Sequence, residues 1–234
     1  MKTLIIVSHP EFQDSITQAF LKTSQAELND VTWHCLDEIY GSDPIDVQAE
    51  RELLNGADRI IFQFPLYWYS APASLKIWED DVLSRAYTYA NEEGHLKDKE
   101  VGIVTSVGYP KSAFAAGASQ SFSISQIMVP YEALAKQAGM KFMKPLVIAQ
   151  FGYSTDEEKS QLLVDYQMYL TAKYPFSFNE RETWMIHQLK KLASGSMKNH
   201  QQELDLIIQE LETGQDDLND LKEQINLIRN KEED

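Results

Sequence analysis

The chain has 234 residues, 36 acidic against 21 basic side chains and a net charge of −15, with 43% apolar residues. That length gives one well-buried domain plus an appendage, and that charge argues against nucleic acid or anionic membrane as a direct partner. A single cysteine, Cys35, excludes an intramolecular disulfide and reads as a core thiol; no apolar stretch approaches the roughly 20 residues of a spanning helix.

The first apolar run, residues 2–7, predicts a strand, and Leu4-Ile5-Ile6-Val7 is too short for a signal peptide, so a cytoplasmic protein is expected. Strands follow at 31–36, 58–64, 100–105 and 143–149. Helices are predicted between them, at about 15–28, 46–55, 72–85 and 119–138, with another at 155–172. Gly139 fits a helix C-cap, and Ser154-Thr155-Asp156-Glu157-Glu158 fits a helix start. Five strands alternating with helices imply an α/β fold, a doubly wound parallel sheet with right-handed crossovers.

Three loops at strand ends carry the chemistry. The first, Ser8-His9-Pro10-Glu11-Phe12-Gln13-Asp14-Ser15-Ile16, leads into a helix N-terminus, where exposed N–H groups and the dipole favour an anion. Ser8, His9 and Ser15 would hold a phosphate there. Read blandly, Ser15 caps the helix and His9 is a surface turn residue. The second loop follows Pro65 and packs Leu66, Tyr67, Trp68 and Tyr69 together before a helix whose apolar face is Leu75, Trp78, Val82 and Leu83. Aromatics at the carboxyl end of a strand suit a flat ring system, although they could also form a hydrophobic corner. The third loop is Val104-Thr105-Ser106-Val107-Gly108-Tyr109-Pro110, with hydroxyl donors at Thr105 and Ser106 and a small residue at Gly108.

FPLYWYSAPASLKIWEDDVL and LIIVSHPEFQDSITQAF together resemble the flavodoxin-like NAD(P)H:quinone oxidoreductases, which include DT-diaphorase and the ancillary quinone reductases of bacterial potassium-efflux systems. The resemblance covers roughly residues 1–175. It implies a five-stranded sheet in the order 2-1-3-4-5, tightly bound FMN or FAD, and NADH or NADPH as electron donor. It also implies two-electron reduction of a small-molecule acceptor, and a dimer. The implied flavin contacts are Ser8, His9, Ser15, Ile16, Pro65, Leu66, Tyr67, Trp68, Tyr69, Thr105, Ser106, Val107 and Gly108. Tyr109 and Phe114 fall on the substrate side, with Tyr67 and Tyr69. The family's Thr-Thr-Gly-Gly is here Thr105-Ser106-Val107-Gly108, which places a β-branched residue where the family has glycine. The tyrosine expected shortly afterwards is replaced by Phe114, or by Ala113 if no gap is allowed, and the histidine that often follows has no counterpart in Ala115-Ala116-Gly117-Ala118-Ser119.

No catalytic acid, base or nucleophile is assigned, because the flavin carries the hydride chemistry. The absence of Gly-x-Gly-x-x-Gly makes the nicotinamide a visiting substrate, and one pocket serving donor and acceptor in turn predicts ping-pong kinetics. Two alternatives are an acidic flavodoxin-type electron carrier and a regulatory subunit of a transport protein. The glycine-free loop from Ser8 to Ser15 disfavours the first of these. His34, His95, His187 and His200 lack ligand spacing with acids or Cys35, so no metal site is expected. Lys76 and Glu79 to Asp81 read as a solvated helix face.

The division predicted is a flavin-binding domain over 1–177 and a helical extension over 178–234. Arg181–Ala193 forms a helical pattern expected to pack on the body. From about 197 a heptad pairs Met197, Leu204, Leu211, Leu218 and Ile225 with Ile207, Leu221 and Ile228, so a homodimer or higher homo-oligomer is expected.

Overall fold

In the computed structural model, which describes residues 1–92, 94–195 and 197–232, the chain forms two compact units, Met1–Thr171 and Ala172 onward. The first is built on β1 (Thr3–Val7), β2 (Val31–Cys35), β3 (Arg59–Pro65), β4 (Glu100–Val107), β5 (Lys141–Phe142) and β6 (Leu146–Ala149). All pairings are parallel and the order is β2-β1-β3-β4-β5, with β6 also on β4. The expected 2-1-3-4-5 order is therefore present, but its fifth strand is split. Pro145, which has no N–H to donate, lies in the break between the two segments.

Both faces of the sheet are covered, which explains the nearly unbroken apolar runs in β1 and β3. The helices are α1 (Ile16–Gln25), α2 (Leu36–Ile39), α3 (Val47–Gly56), α4 (Ala73–Val82), α5 (Arg85–Thr88), α6 (Ile124–Ile127), α7 (Val129–Ala138) and α8 (Asp156–Thr171). On one face Leu4, Ile6, Ile60, Phe62 and Phe64 pack with Leu54 of α3, Leu75, Trp78 and Val82 of α4, and Tyr131 and Ala135 of α7. On the other face Gln63 donates to Gln18 of α1 at 2.6 Å and accepts from the Tyr166 hydroxyl of α8 at 2.7 Å. The alternation of side chains along β3 sends its neighbours to opposite layers.

Two terminal signals hold. Gly139 caps α7 in the left-handed region at φ 68°, and Thr155 with Glu158 forms reciprocal cap bonds at the start of α8. The helix predicted over 119–138 begins later. Residues 119–122 are loop, Ser123 and Gln126 close a capping box, and Pro130 restarts the helix as α7. At the other end of the sheet, Arg59 is fully buried, with Nε 2.7 Å from Glu100 and Nη1 2.5 Å from the Tyr169 carbonyl at the end of α8. Gly102 permits this docking: a Cβ there would lie 2.5 Å from the Tyr169 hydroxyl.

In the second unit α9 (Phe178–Ser194) and α10 (Gln201–Glu232) pair as an antiparallel hairpin, tied by Lys190–Glu212 at 2.5 Å and Gln215–Thr183 at 2.9 Å. The helical segment Arg181–Ala193 lies within α9, which pairs with α10. Among the described side chains of α10 the buried apolar ones are Leu204 and Ile208, whereas Ile207, assigned above to the second seam, is exposed. Leu221, Ile225 and Ile228 also remain exposed, beyond the last tie to α9.

Candidate functional site

The loop after β3 makes a tight hairpin. Tyr67 and Ser70 exchange two backbone hydrogen bonds of 2.9 Å each, and Trp68 and Tyr69 sit between them at φ 47° and 61°. Positive φ at both central positions defines a type I′ turn, a geometry that favours Asn-Gly over two bulky aromatics. Holding non-glycine residues there costs on the order of 1–3 kcal/mol each. The N–H groups of Trp68 and Tyr69 have no hydrogen-bond partner among the described residues, and the Trp68 side chain is 94% exposed. Strain, unpaired donors and an exposed indole coincide in two residues.

The turn stands beside the end of β4. Leu66 N–H donates to the Ser106 carbonyl at 2.9 Å, and Pro65 is in register with Ser106. A cleft of about 290 Å³ opens there, lined by Leu66, Trp68, Tyr69, Val107, Gly108, Tyr109, Phe114 and Gln120. Six of these eight come from the second and third loops singled out in the sequence, and Phe114 was expected on the substrate side. Val107 belongs to β4 and pairs with Ala149, so its backbone is extended and its side chain packs with Ala113 and Phe114 beneath the cleft. The glycine it replaces is not needed for a left-handed turn here. Gly108 faces open space, with nothing within 4 Å of where a Cβ would sit. Phe114 is buried in the floor and Tyr109 is exposed at the rim.

Other predicted residues lie outside the cleft lining. Pro65 is buried in β3, and Tyr67 is exposed in the turn. Thr105 is fully buried, with no hydrogen-bond partner for its hydroxyl oxygen. Ser106 is half-buried. In the first loop, the Ser8 N–H donates to the Gln63 carbonyl at 3.0 Å. Its hydroxyl lies 2.7 Å from Ser74 Oγ, which donates on to Asp37 at 3.2 Å. Both donors of Ser8 are engaged internally, so it shapes the loop. His9 N–H donates to Asp37 at 2.7 Å, but its ring Nδ1 is buried and unpartnered. Burial holds the His9 pKa below its ordinary value against the opposing pull of Asp37 and Glu11. Ser15 caps α1 by accepting from Gln18 N–H at 3.3 Å, which leaves its hydroxyl proton free. The Ile16 N–H, at the start of α1, has no partner among the described residues.

Sequence reasoning missed Gln120, Asp37 and Ser74. Gln120 accepts from the Tyr69 hydroxyl at 3.0 Å across the cleft, from a stretch expected to be helical. It also missed a buried carboxylate, Glu50, which accepts from His34 Nε2 at 2.7 Å, Tyr40 at 2.5 Å and Trp78 Nε1 at 2.7 Å. Burial opposes its ionisation, but those three hydrogen bonds hold its pKa below the usual value. Burial pushes the Cys35 thiol up to about 11, which keeps it inert. Among the described residues no group of three His, Cys, Asp or Glu side chains is placed to hold a metal.

A parallel sheet in this order, with its cleft and helix N-terminus at the carboxyl ends of neighbouring strands, defines a flavodoxin-like protein. The family model for the flavodoxin-like fold matches residues 1–170. The chain is 37% identical over 174 residues to the NAD(P)H oxidoreductase YrkL of Bacillus subtilis, covering 71% of this chain and 97% of the relative. It is 44% identical to a solved NADPH-quinone reductase of P. pentosaceus, at a TM-score of 0.68 over 73% of this chain and 98% of that one. It is 27% identical to general stress protein 14 of Treponema denticola, solved in complex with FMN, with a TM-score of 0.66 over 73% and 98% of the two chains. The chain belongs to the flavodoxin-like NAD(P)H:quinone oxidoreductase family.

Proposed function

We propose that the protein binds FMN and passes two electrons from NADH or NADPH to quinones or similar acceptors in a ping-pong sequence. The observation that carries this reading is the cleft where the strained Trp68–Tyr69 turn meets Val107, Gly108 and Tyr109 at the ends of adjacent strands. FMN is preferred over FAD because the Treponema relative was solved with FMN.

The residues present fit such a group. The unpaired N–H groups of Trp68 and Tyr69 suit the polar edge of a flat heterocycle, and the walls of Leu66 and Phe114 suit its faces. The orphaned Nδ1 of His9, the free hydroxyl proton of Ser15 and the N–H of Ile16 suit a phosphate at the start of α1. Thr105 and Ser106 support the edge of the site from β4. When bound, the flavin supplies hydride transfer from nicotinamide to acceptor. The chain orients the rings, excludes water through its apolar floor and offers room for one partner at a time. Tyr67, Tyr69, Tyr109 and Phe114 are proposed for the acceptor side.

The absence of glycine between Ser8 and Ser15 favours this reading over that of an electron carrier. Reduced nicotinamide is abundant in the cytoplasm, the proposed location; among the described residues no helix is long and apolar enough to cross a membrane. The exposed apolar stripe of α10 is proposed to join copies into a homodimer or higher oligomer.

Steady-state kinetics on the purified yellow protein, varying NADH or NADPH against menadione, test the reading. Parallel double-reciprocal lines are expected. Intersecting lines overturn the alternating use of one cleft. A colourless protein that binds neither FMN nor FAD overturns the function as a whole.

A further inference from the structure

Behind the aromatic turn lies a second cleft, of about 450 Å³, between α4 and α7. Its volume falls within the range of small-molecule sites, and its floor is apolar, formed by Phe64, Met128 and Tyr131. One polar group is out of place among them. Lys76 and Asp80 are about two-thirds exposed, as a solvated helix face requires, but the Glu79 side chain is only 15% exposed. Its Oε1 has no hydrogen-bond partner among the described residues. Lys76 lies 3.6 Å from the other oxygen but is bound more closely to Asp80, at 2.6 Å. A buried carboxylate oxygen with no donor carries a desolvation cost that a ligand N–H would offset.

We propose that this cleft is a second small-molecule site, separate from the flavin cleft, and that it takes a compact apolar amine whose ammonium group pairs with Glu79. The apolar floor and the rings of Phe64 and Tyr131 select a hydrocarbon or aromatic body. The charge balance selects a cation, since Glu79 and Asp80 outnumber Lys76, and no other ionised side chain lines the cleft. The Tyr131 hydroxyl faces the Glu79 carboxylate from α7 and stays neutral, because burial, the Glu79 charge and a hydrogen bond to Glu79 push its pKa up; Oε1 is the oxygen left open to a ligand. Tyr69 lines both clefts, so an occupant here abuts the turn that shapes the other site.

Burial pushes the Glu79 carboxyl up to about 7, with Lys76 opposing and Asp80 reinforcing the shift. Its ionised fraction then rises from about one-tenth at pH 6 to about nine-tenths at pH 8. The experiment is calorimetric titration of the full chain, with and without FMN, by tryptamine and by its neutral analogue tryptophol. Tryptamine should bind about tenfold more tightly at pH 8 than at pH 6, while tryptophol should bind equally at both. Glu79→Gln should abolish the pH dependence and bring tryptamine down to the affinity of tryptophol. Leu134→Trp, which fills the cleft, should abolish binding of both. No tryptamine binding at millimolar concentration overturns the proposal, as does binding that is equal at the two pH values or unchanged in Glu79→Gln. Failure of FMN to bind would sink the flavin reading and leave this result standing.

Discussion

Trp78 Nε1 donates to Glu50 Oε2 at 2.7 Å, joining two fully buried residues 28 positions apart and fixing α4, which follows the aromatic turn, against α3. Glu50 also accepts from His34 and Tyr40, so its carboxylate holds three elements at one point. Glu50→Gln leaves one acceptor oxygen where two served three donors. It should cost about 3 kcal/mol, the scale for breaking a buried charged pair. Urea denaturation checks this. The native pKa of Glu50 lies below its unfolded value. Its contribution is therefore complete above the unfolded carboxylate range of about 4.3 and is lost as pH falls through the lower native value. Wild-type stability should drop more steeply than that of Glu50→Gln as pH falls below about 4.

Replacing Trp68 with Asn and Tyr69 with Gly gives the turn the residues its backbone prefers. The double variant should gain about 1–2 kcal/mol in thermal or urea unfolding, because two side chains no longer occupy left-handed positions. Its NAD(P)H–menadione activity should fall at least tenfold, because the Tyr69–Gln120 contact and the ring surface are gone. A variant that is more stable and equally active would show that the strain serves no function.

The strand order was legible because buried parallel strands are short apolar runs and the crossovers between them are helical. The break in the fifth strand was legible in principle from Pro145, whereas the start of α6 depended on a Ser123–Gln126 box hidden within a longer polar-apolar stretch. The cleft residues could be found because each loop gathers its own in a few consecutive positions. Glu50 could not: His34 and Trp78 lie 16 and 28 residues away, distances at which no helical or strand period operates. Gln120 reaches the cleft through a loop conformation that includes Ser121 at φ 62°, which composition does not announce. Glu79 reads as charged surface by its neighbours Lys76 and Asp80, and nothing in its local sequence marks it as the buried member of that group.

His9→Gln tests the phosphate end apart from the ring end. The His9 imidazole is buried, and its Nδ1 has no protein partner, so it is poised to meet a ligand oxygen. Loss of one hydrogen bond to a charged group is worth about 1.5–3 kcal/mol, so FMN affinity should fall about 10- to 100-fold. Riboflavin, which has the ring but no phosphate, should bind wild type and variant alike. Fluorescence quenching titrations of the two flavins read the difference. Equal losses for both would move His9 from the phosphate to the ring. The lowered pKa of His9 makes the empty protein more stable above about pH 6.5 than below it, and FMN should weaken that dependence by stabilising the protonated ring.

The tail prediction concerns Leu221 and Ile225, which are 57% and 49% exposed on α10 beyond its ties to α9. Large apolar side chains in a row on an acidic helix are costly to leave in water, and their spacing of four places them on one face. Leu221→Lys with Ile225→Lys should convert an oligomer to monomer in light scattering. The flavin content should be unchanged, because neither residue belongs to the unit that carries the cleft. A single Leu206→Lys change, at an exposed position away from that stripe, should leave the mass as it was. If the double variant keeps the wild-type mass, association is carried by another surface and α10 is a monomeric appendage.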